Sequence, residues 1–340
     1  MLYCRAVRST ILAILFLLTL AACSPTGPAA SPPGAPSRGD GPVAIATTTQ
    51  LGSILTDITA CAGTTSATLM GAGDDPHEFS VSSRDVANLT KTKLVVANGL
   101  GLESGLEVAL DGAQGDGATI FEVAPLLEPL TYADIEAKAA EQHAGHDHAH
   151  DDHADEGHDD GHNHGEFDPH VHMDVKRMAK AASLIGAELA KVIGDDKYAT
   201  CGTEVETKLN QTDAEVRDIL SAVPTERRVL VTDHEAYNYF AAAYDFEVAG
   251  VVIPGGSTDA EPSSQELADL VAVVREDKVS AIFSNNTVNP RLVEAVAAEA
   301  GTDLKVVQLF EGSVGPAGSG AETYSDMMLT NARLIADALK

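Results

Sequence analysis

The side chains best suited to chemistry in this sequence are histidines, and most of them lie in one acidic stretch, "EQHAGHDHAHDDHADEGHDDGHNHGEFDPHVHMD", at residues 141–174. Ten of the twelve histidines lie between His143 and His172. Imidazole binds Zn²⁺, Cu²⁺ and Ni²⁺. The first part of the stretch is rich in Gly, Ala and Asp and its histidines are irregularly spaced, which predicts a surface loop at residues 141–166 that captures ions without fixed geometry. The eight histidines of this auxiliary set are His143, His146, His148, His150, His153, His158, His162 and His164.

Four other histidines stand in more ordered surroundings. His77 in "GAGDDPHEF" and His234 in "RVLVTDH" each follow a predicted strand, where ligands of open α/β sheets usually bind. His170 and His172 in "FDPHVHMD" are two residues apart, so in an extended segment they point to opposite sides. Only one of this pair can readily face a cleft, and the spacing leaves open which one.

Alternating strands and helices must position these side chains. Apolar, β-branched runs predict four strands in each half of the chain, with helical patterns between them. We therefore expect an α/β fold with two lobes, each a mainly parallel four-stranded sheet flanked by helices. The predicted strands start at Val43, Thr65, Lys93, Ala118, Arg228, Glu247, Val279 and Asp303.

One long helix is predicted between the two lobes. Apolar residues recur at helical spacing through "DVKRMAKAASLIGAELAKVIG", residues 174–194, with Asp174 near its start and Gly194 beyond its end. This linking helix separates an N-terminal lobe at residues 42–173 from a C-terminal lobe at residues 195–340.

The first residues predict export and a lipid anchor. Arg5 and Arg8 precede a short apolar run, which is typical of a secretory signal at residues 1–22. "LAAC" ends at Cys23 and resembles a bacterial lipobox, in which the cysteine is lipidated. Residues 23–41 are rich in proline and predict a tether. We therefore expect an extracytoplasmic or periplasmic protein, lipid-anchored to the cell membrane.

The remaining cysteines and the net charge narrow the class further. Cys61 and Cys201 form an even pair in an oxidising compartment, so we predict a disulfide between them. The formal net charge of −29 excludes nucleic acid as a natural partner and favours cations.

Six motifs resemble those of one family, the ZnuA-like and TroA-like metal receptors of zinc and manganese ABC importers. The motifs occur in the family's order and the resemblance covers residues 42–340. They are "GDDPHEF", "NGLGLE", "DPHVHMD", "TDHEAYNYF", "STDAEPSSQEL" and "ETYSDMM".

The resemblance implies a function and a set of metal ligands. It implies two lobes bridged by one helix, a monomer that is not an enzyme, and one tight Zn²⁺ site that serves an ABC permease and its ATPase. By motif position the ligands fall on His77, His170, His234 and Asp326. Glu103 and Asp233 are expected to orient them. His172 stands where the family usually has an aromatic residue.

Three alternatives stay open from the sequence. The first is a receptor of the same family for manganese or another transition metal. The second is a zinc-dependent hydrolase in which Glu78 or Glu103 is the base, although the sequence has no HExxH motif. The third is a metal buffer or adhesin that depends on its histidine-rich loop, which would not explain two organised lobes.

Overall fold

Two parallel four-stranded sheets form the framework of the protein. The computed structural model describes residues 41–143, 165–258, 260–276, 279–301 and 304–340. Outside these residues lie the predicted signal, Cys23 and most of the tether. Seven of the auxiliary histidines, His146 to His164, also lie outside them. The strands are β1 Ile45–Ala46, β2 Ala67–Thr68, β3 Leu94–Ala97, β4 Thr119–Glu122, β5 Val229–Thr232, β6 Glu247–Val251, β7 Ala281–Asn285 and β8 Lys305–Leu309.

The two sheets share one topology. The strand order is β2-β1-β3-β4 in the first and β6-β5-β7-β8 in the second, and every pairing is parallel. In each sheet the strand order reverses direction beside the strand that comes first in the chain, β1 or β5. Such a reversal places a ligand-binding crevice at the carboxyl ends of the strands. Each observed strand falls within one of the predicted runs, so the predicted fold class is confirmed.

Helices cover both faces of each sheet. Buried apolar residues from both lobes form one continuous core that includes Leu55, Val96, Ile185, Phe283 and Ile335. A smaller apolar cluster lies on the outer face of each sheet. The helices are α1 Thr49–Ala62, α2 Ser83–Leu89, α3 Glu107–Gly115, α4 Tyr132–His143, α5 Val175–Ile193, α6 Lys197–Leu220, α7 Asn238–Tyr244, α8 Ser264–Glu276, α9 Arg291–Ala300 and α10 Tyr324–Leu339.

Helix α5 links the lobes and has both of its ends specified by sequence. The Asp174 side chain accepts hydrogen bonds from the backbone N–H groups of Lys176 and Arg177 and so caps the first turn. Gly194 ends the helix in the left-handed conformation, with φ 81°.

Helix α6 packs along α5, and the sequence patterns had not predicted it. Gly186 of α5 and Gly202 of α6 face each other so closely that a Cβ on Gly186 would lie 2.7 Å from the Gly202 Cα. Glycine is required here because any side chain would push the two backbones apart.

A disulfide joins α1 to α6. Cys61 and Cys201 are bonded, with their Cα atoms 5.8 Å apart, so the predicted pairing is confirmed. The bond connects the last turn of α1 with the first turns of α6.

The end of helix α4 overlaps the start of the loop predicted at residues 141–166. Helix α4 continues through His143, so residues 141–143 are helical and not part of a loop. Among the residues described, no helix is both long enough and apolar enough to cross a membrane.

Candidate metal centre

Three histidines from distant parts of the chain converge between the lobes. Each of His77, His170 and His234 offers one ring nitrogen, and these atoms all lie within 4.8 Å of one another. The Nε2 atoms of His77 and His170 are 3.2 Å apart. His170 and His234 are fully buried and His77 is partly exposed. The cluster therefore has one side open to solvent.

The fold brings two of the histidines to the carboxyl ends of the sheets and the third to the segment before α5. His77 lies in the loop after β2, and His234 lies two residues beyond β5. His170 lies in the short segment before α5, within the crevice between the sheets. Because both sheets are parallel, their strand ends and loops meet in this crevice.

Two carboxylates fix the rings of the buried histidines. Asp168 Oδ1 accepts a hydrogen bond from His170 Nδ1 at 2.8 Å, and Asp233 Oδ1 accepts one from His234 Nδ1 at 3.1 Å. A proton on each Nδ1 leaves Nε2 as the metal-facing atom. The Nε2 atom of His234 is buried with no hydrogen-bond partner within the described part of the chain.

The loop that carries His77 is tied to the other lobe. Asp75 Oδ1 accepts a hydrogen bond from the His77 backbone N–H at 3.0 Å, and Asp75 Oδ2 accepts one from the Thr258 hydroxyl at 2.9 Å. The Gly73 backbone N–H donates to the Ser313 hydroxyl at 2.8 Å. These bonds hold His77 over the cleft although it lies outside regular secondary structure.

A glutamate that the sequence reasoning missed lies beside the cluster. Glu311 is buried, and its Oε2 lies 3.7 Å from His234 Nε2. Its oxygens accept hydrogen bonds from His172 Nε2 at 3.0 Å and Asn285 Nδ2 at 2.8 Å. Glu311 lies two residues beyond β8, so the strand-end position that singled out His234 could also have identified it.

Asp326, predicted to be the fourth ligand, lies elsewhere. Its side chain is exposed and accepts a hydrogen bond from the Thr323 hydroxyl at 2.6 Å, while its own N–H donates to Thr323 Oγ1 at 3.1 Å. Asp326 therefore stabilises the first turn of α10. The prediction that it joins the three histidines is corrected, and Glu311 is the buried carboxylate that lies beside them.

The rings of His170 and His172 contact different neighbours. His170 faces His77, whereas His172 is directed to Glu311. The tight backbone turn Val171–Met173 places the two rings in different directions.

Glu103 supports the histidines indirectly, through the backbone. It is buried and accepts hydrogen bonds from the Thr47 hydroxyl at 2.6 Å and from the backbone N–H groups of Asn98 and Gly99 at 2.8 and 3.1 Å. These bonds hold a turn in which Gly99, Leu100 and Gly101 all have positive φ. The Asn98 amide in turn donates to the Pro169 carbonyl at 2.9 Å, beside His170. Glu103 thus supports the His170 segment through this turn and does not orient a ring directly.

The pKa values of His77, His234 and Glu311 are shifted in different directions. Burial, reinforced by the neighbouring imidazoles of His170 and His234, holds the pKa of His77 well below its usual value. Burial also opposes the charged form of His234, but the carboxylates of Asp233 and Glu311 outweigh it and raise the pKa of His234 to about 9. Burial alone would raise the pKa of Glu311, yet the hydrogen bond from His172 and the nearby histidines hold it well below its usual value.

The donor set matches a small divalent cation. Three imidazole nitrogens converge, with a carboxylate oxygen near one of them, and nitrogen and oxygen donors of these types bind divalent transition-metal ions. A cation at this position would replace the proton on His234 and give its orphaned Nε2 a partner. The residues present therefore fit a metal ion.

Two lobes with ligand side chains converging in the crevice between them define a solute-binding receptor. The family described as "Zinc-uptake complex component A periplasmic" matches residues 45–338, and the chain belongs to this family. Its members are receptors for metal transport, so the prediction that this chain is not an enzyme is confirmed. The hydrolase alternative is thereby set aside.

Relatives in the same family differ in the metal that their names give. The chain is 30% identical over 279 residues to the zinc-binding protein TroA of Treponema pallidum, covering 80% of each protein. It is 28% identical over 280 residues to the manganese-binding lipoprotein MntA of Bacillus subtilis, covering 80% of this chain and 81% of that protein. The names of these relatives therefore support a metal-binding receptor without selecting zinc.

Solved structures share the whole fold. The periplasmic zinc-binding protein TroA from Treponema pallidum superposes with a TM-score of 0.73 at 27% identity, covering 88% of this chain and 99% of that one. The Cd-bound periplasmic metal-binding protein from candidatus Liberibacter asiaticus gives a TM-score of 0.69 at 21% identity, covering 88% and 100%. The second likeness shows the fold alone.

Proposed function

We propose that this protein captures Zn²⁺ outside the cytoplasmic membrane and delivers it to an ABC permease driven by its ATPase. The ion is bound in the interlobe crevice by His77, His170, His234 and Glu311. The observation that carries the proposal is the convergence of three ring nitrogens within 4.8 Å, beside a buried carboxylate. Asp168 and Asp233 hold two of the rings in the tautomer that metal binding needs.

The composition of the donor set favours zinc among the metals that relatives bind. Three imidazoles and one carboxylate oxygen suit borderline-soft, four-coordinate Zn²⁺, whereas Mn²⁺ prefers more oxygen ligands and a higher coordination number. A manganese receptor is the second candidate, because relatives such as MntA of Bacillus subtilis are named for manganese.

Several further features belong to this proposal. Cys23 carries the lipid that anchors a monomeric receptor to the membrane, and residues 23–41 form the tether. The auxiliary histidines collect additional zinc ions weakly. Relatives named as lipoproteins, including MntA of Bacillus subtilis, support the anchor.

A metal-bound crystal structure with anomalous scattering at the zinc edge tests the proposal directly. We expect one strong zinc peak contacting His77, His170, His234 and Glu311. In solution, His234→Ala should weaken zinc binding by more than the roughly 10–100-fold typical of losing an outer hydrogen-bond partner. Near wild-type zinc affinity of this variant, measured in competition with a strong chelator, would overturn the assignment.

A further inference from the structure

His172 is a buried polar residue that the proposed metal set does not use. The residue is 2% exposed, and its backbone carbonyl accepts a hydrogen bond from the Tyr324 hydroxyl at 2.7 Å. The backbone of His172 is therefore held from α10, and its Nε2 is directed to Glu311 Oε1. The two atoms are 3.0 Å apart, the distance of a hydrogen bond in which the carboxylate oxygen accepts from the ring N–H.

Glu311 is fixed at both ends, by its backbone as well as by its carboxylate. Its backbone N–H donates to Asn286 Oδ1 at 3.1 Å, and its carbonyl accepts from Gln50 Nε2 at 2.6 Å. Gln50 belongs to α1, in the other lobe. Rotation of the whole residue would therefore break contacts to both lobes.

The two carboxylate oxygens of Glu311 have different surroundings. Oε1 is engaged by His172, while Oε2 is the atom near His234 Nε2 and also accepts from Asn285 Nδ2. A carboxylate can bind an ion through one oxygen or through both. With Oε1 held by a buried imidazole, only Oε2 faces the histidine cluster.

We propose that His172 is a selectivity-determining positioning residue, which restricts Glu311 to a single oxygen toward the ion and so favours four-coordinate Zn²⁺ over Mn²⁺. This inference rests on the proposed function, because it concerns the same site. One carboxylate oxygen with three imidazoles gives four ligands. If Oε1 were released from His172, it would become a fifth ligand atom. The site would then be richer in oxygen, which suits Mn²⁺ better.

Substitution of His172 separates this role from simple packing. His172→Phe keeps a planar ring and removes the donor, whereas His172→Gln keeps an N–H donor and serves as the rescue variant. Zn²⁺ binds nitrogen and oxygen sites more tightly than Mn²⁺ in general, so the informative quantity is the ratio of the two Kd values. Both constants are measured by chelator competition in the wild type and in each variant.

The expected result is a selective gain in Mn²⁺ binding. In His172→Phe the ratio of the Mn²⁺ Kd to the Zn²⁺ Kd should fall at least about tenfold, mainly because Mn²⁺ binds more tightly, and His172→Gln should restore most of it. A ratio within twofold of the wild type, or equal weakening of both metals, would overturn the inference.

X-ray absorption of the zinc-loaded wild type provides a second test that needs no variant. We expect three nitrogens and one oxygen at bonding distance from the zinc, as when a carboxylate binds through one of its oxygens. A two-oxygen carboxylate in the wild type would refute the role of His172. If the wild type instead fails to bind one zinc ion at the three histidines, the proposed function itself fails, and the two failures are thus distinguished.

Discussion

Glu311 Oε2 lies 3.7 Å from His234 Nε2, and each of these buried atoms reaches the crevice from just beyond a strand of the second sheet. After Asp233, the Glu311 carboxylate helps to raise the pKa of His234. After His172, His234 in turn helps to lower the pKa of Glu311. A cation that binds between these two groups must therefore displace the proton held by His234.

The first prediction compares two acidic residues in the C-terminal lobe. Glu311→Ala should weaken zinc binding by more than about 100-fold, because removal of the carboxylate opens the four-ligand set to water. Asp326→Ala is the matched control, since Asp326 is exposed and supports the Thr323 cap of α10. Chelator competition on both variants checks this. Equal losses in the two variants would show that the cap and not the site controls affinity.

The second prediction concerns pH. In the metal-free protein His234 has a pKa of about 9, so at pH 7 its ring is protonated and the ion must displace that proton. Zinc affinity should therefore rise roughly tenfold per pH unit from pH 7 to about 9 and then level off. Because the pKa of His77 is lowered, that ring competes little for protons in this range.

Calorimetry measures the displaced proton directly. Zinc titrations at pH 7.5 in buffers with different ionisation enthalpies should show release of about one proton for each ion bound. Binding without proton release would contradict the charge state assigned to His234.

The third prediction concerns the disulfide. Cys61→Ala with Cys201→Ala should lower the free energy of unfolding by about 2–5 kcal/mol, as loss of a native disulfide typically does. Metal affinity should change little, because Cys61 lies about 16 Å along α1 from Gln50, which contacts Glu311. Denaturant unfolding measures the first effect and chelator competition the second. Reduction of the wild type should give the same loss, and a loss in the double variant alone would indicate damaged packing.

The fourth prediction concerns residues 144–164. Deletion of this segment should leave one tight zinc ion per chain, because the four proposed ligands all lie outside it. The full chain should bind further ions more weakly through its auxiliary histidines. Calorimetric stoichiometry checks both statements. Loss of the tight ion on deletion would place the principal site in the histidine-rich segment.

The strands were predictable because their signals are local. Buried parallel strands such as Leu94–Ala97 and Val229–Thr232 are continuous runs of apolar and β-branched residues, which stand out without tertiary information. Helix α6 was not recognised, since its apolar positions, including Val205, Leu209 and Val216, are dispersed among many charged residues. Its place beside α5 depends on the Gly186 and Gly202 contact, which sequence spacing cannot reveal.

The site was predictable only as far as strand ends identify it. His77 and His234 were singled out by their positions after strands and His170 by its motif position, and the three lie close together. The fourth group was misplaced, because an acidic residue in the first turn of a helix has the same appearance whether it binds a ligand or caps that turn. The hydrogen bonds between Asp326 and Thr323 decide the matter, and only coordinates supply them.

The disulfide also has a topological consequence. The bond between Cys61 and Cys201 spans 140 positions, and the ring that it closes contains His77, His170 and the whole histidine-rich stretch. A protease that cuts one peptide bond in that stretch cannot release a fragment, because the two pieces remain covalently joined. After such a cut, every proposed ligand therefore stays on one covalently connected molecule.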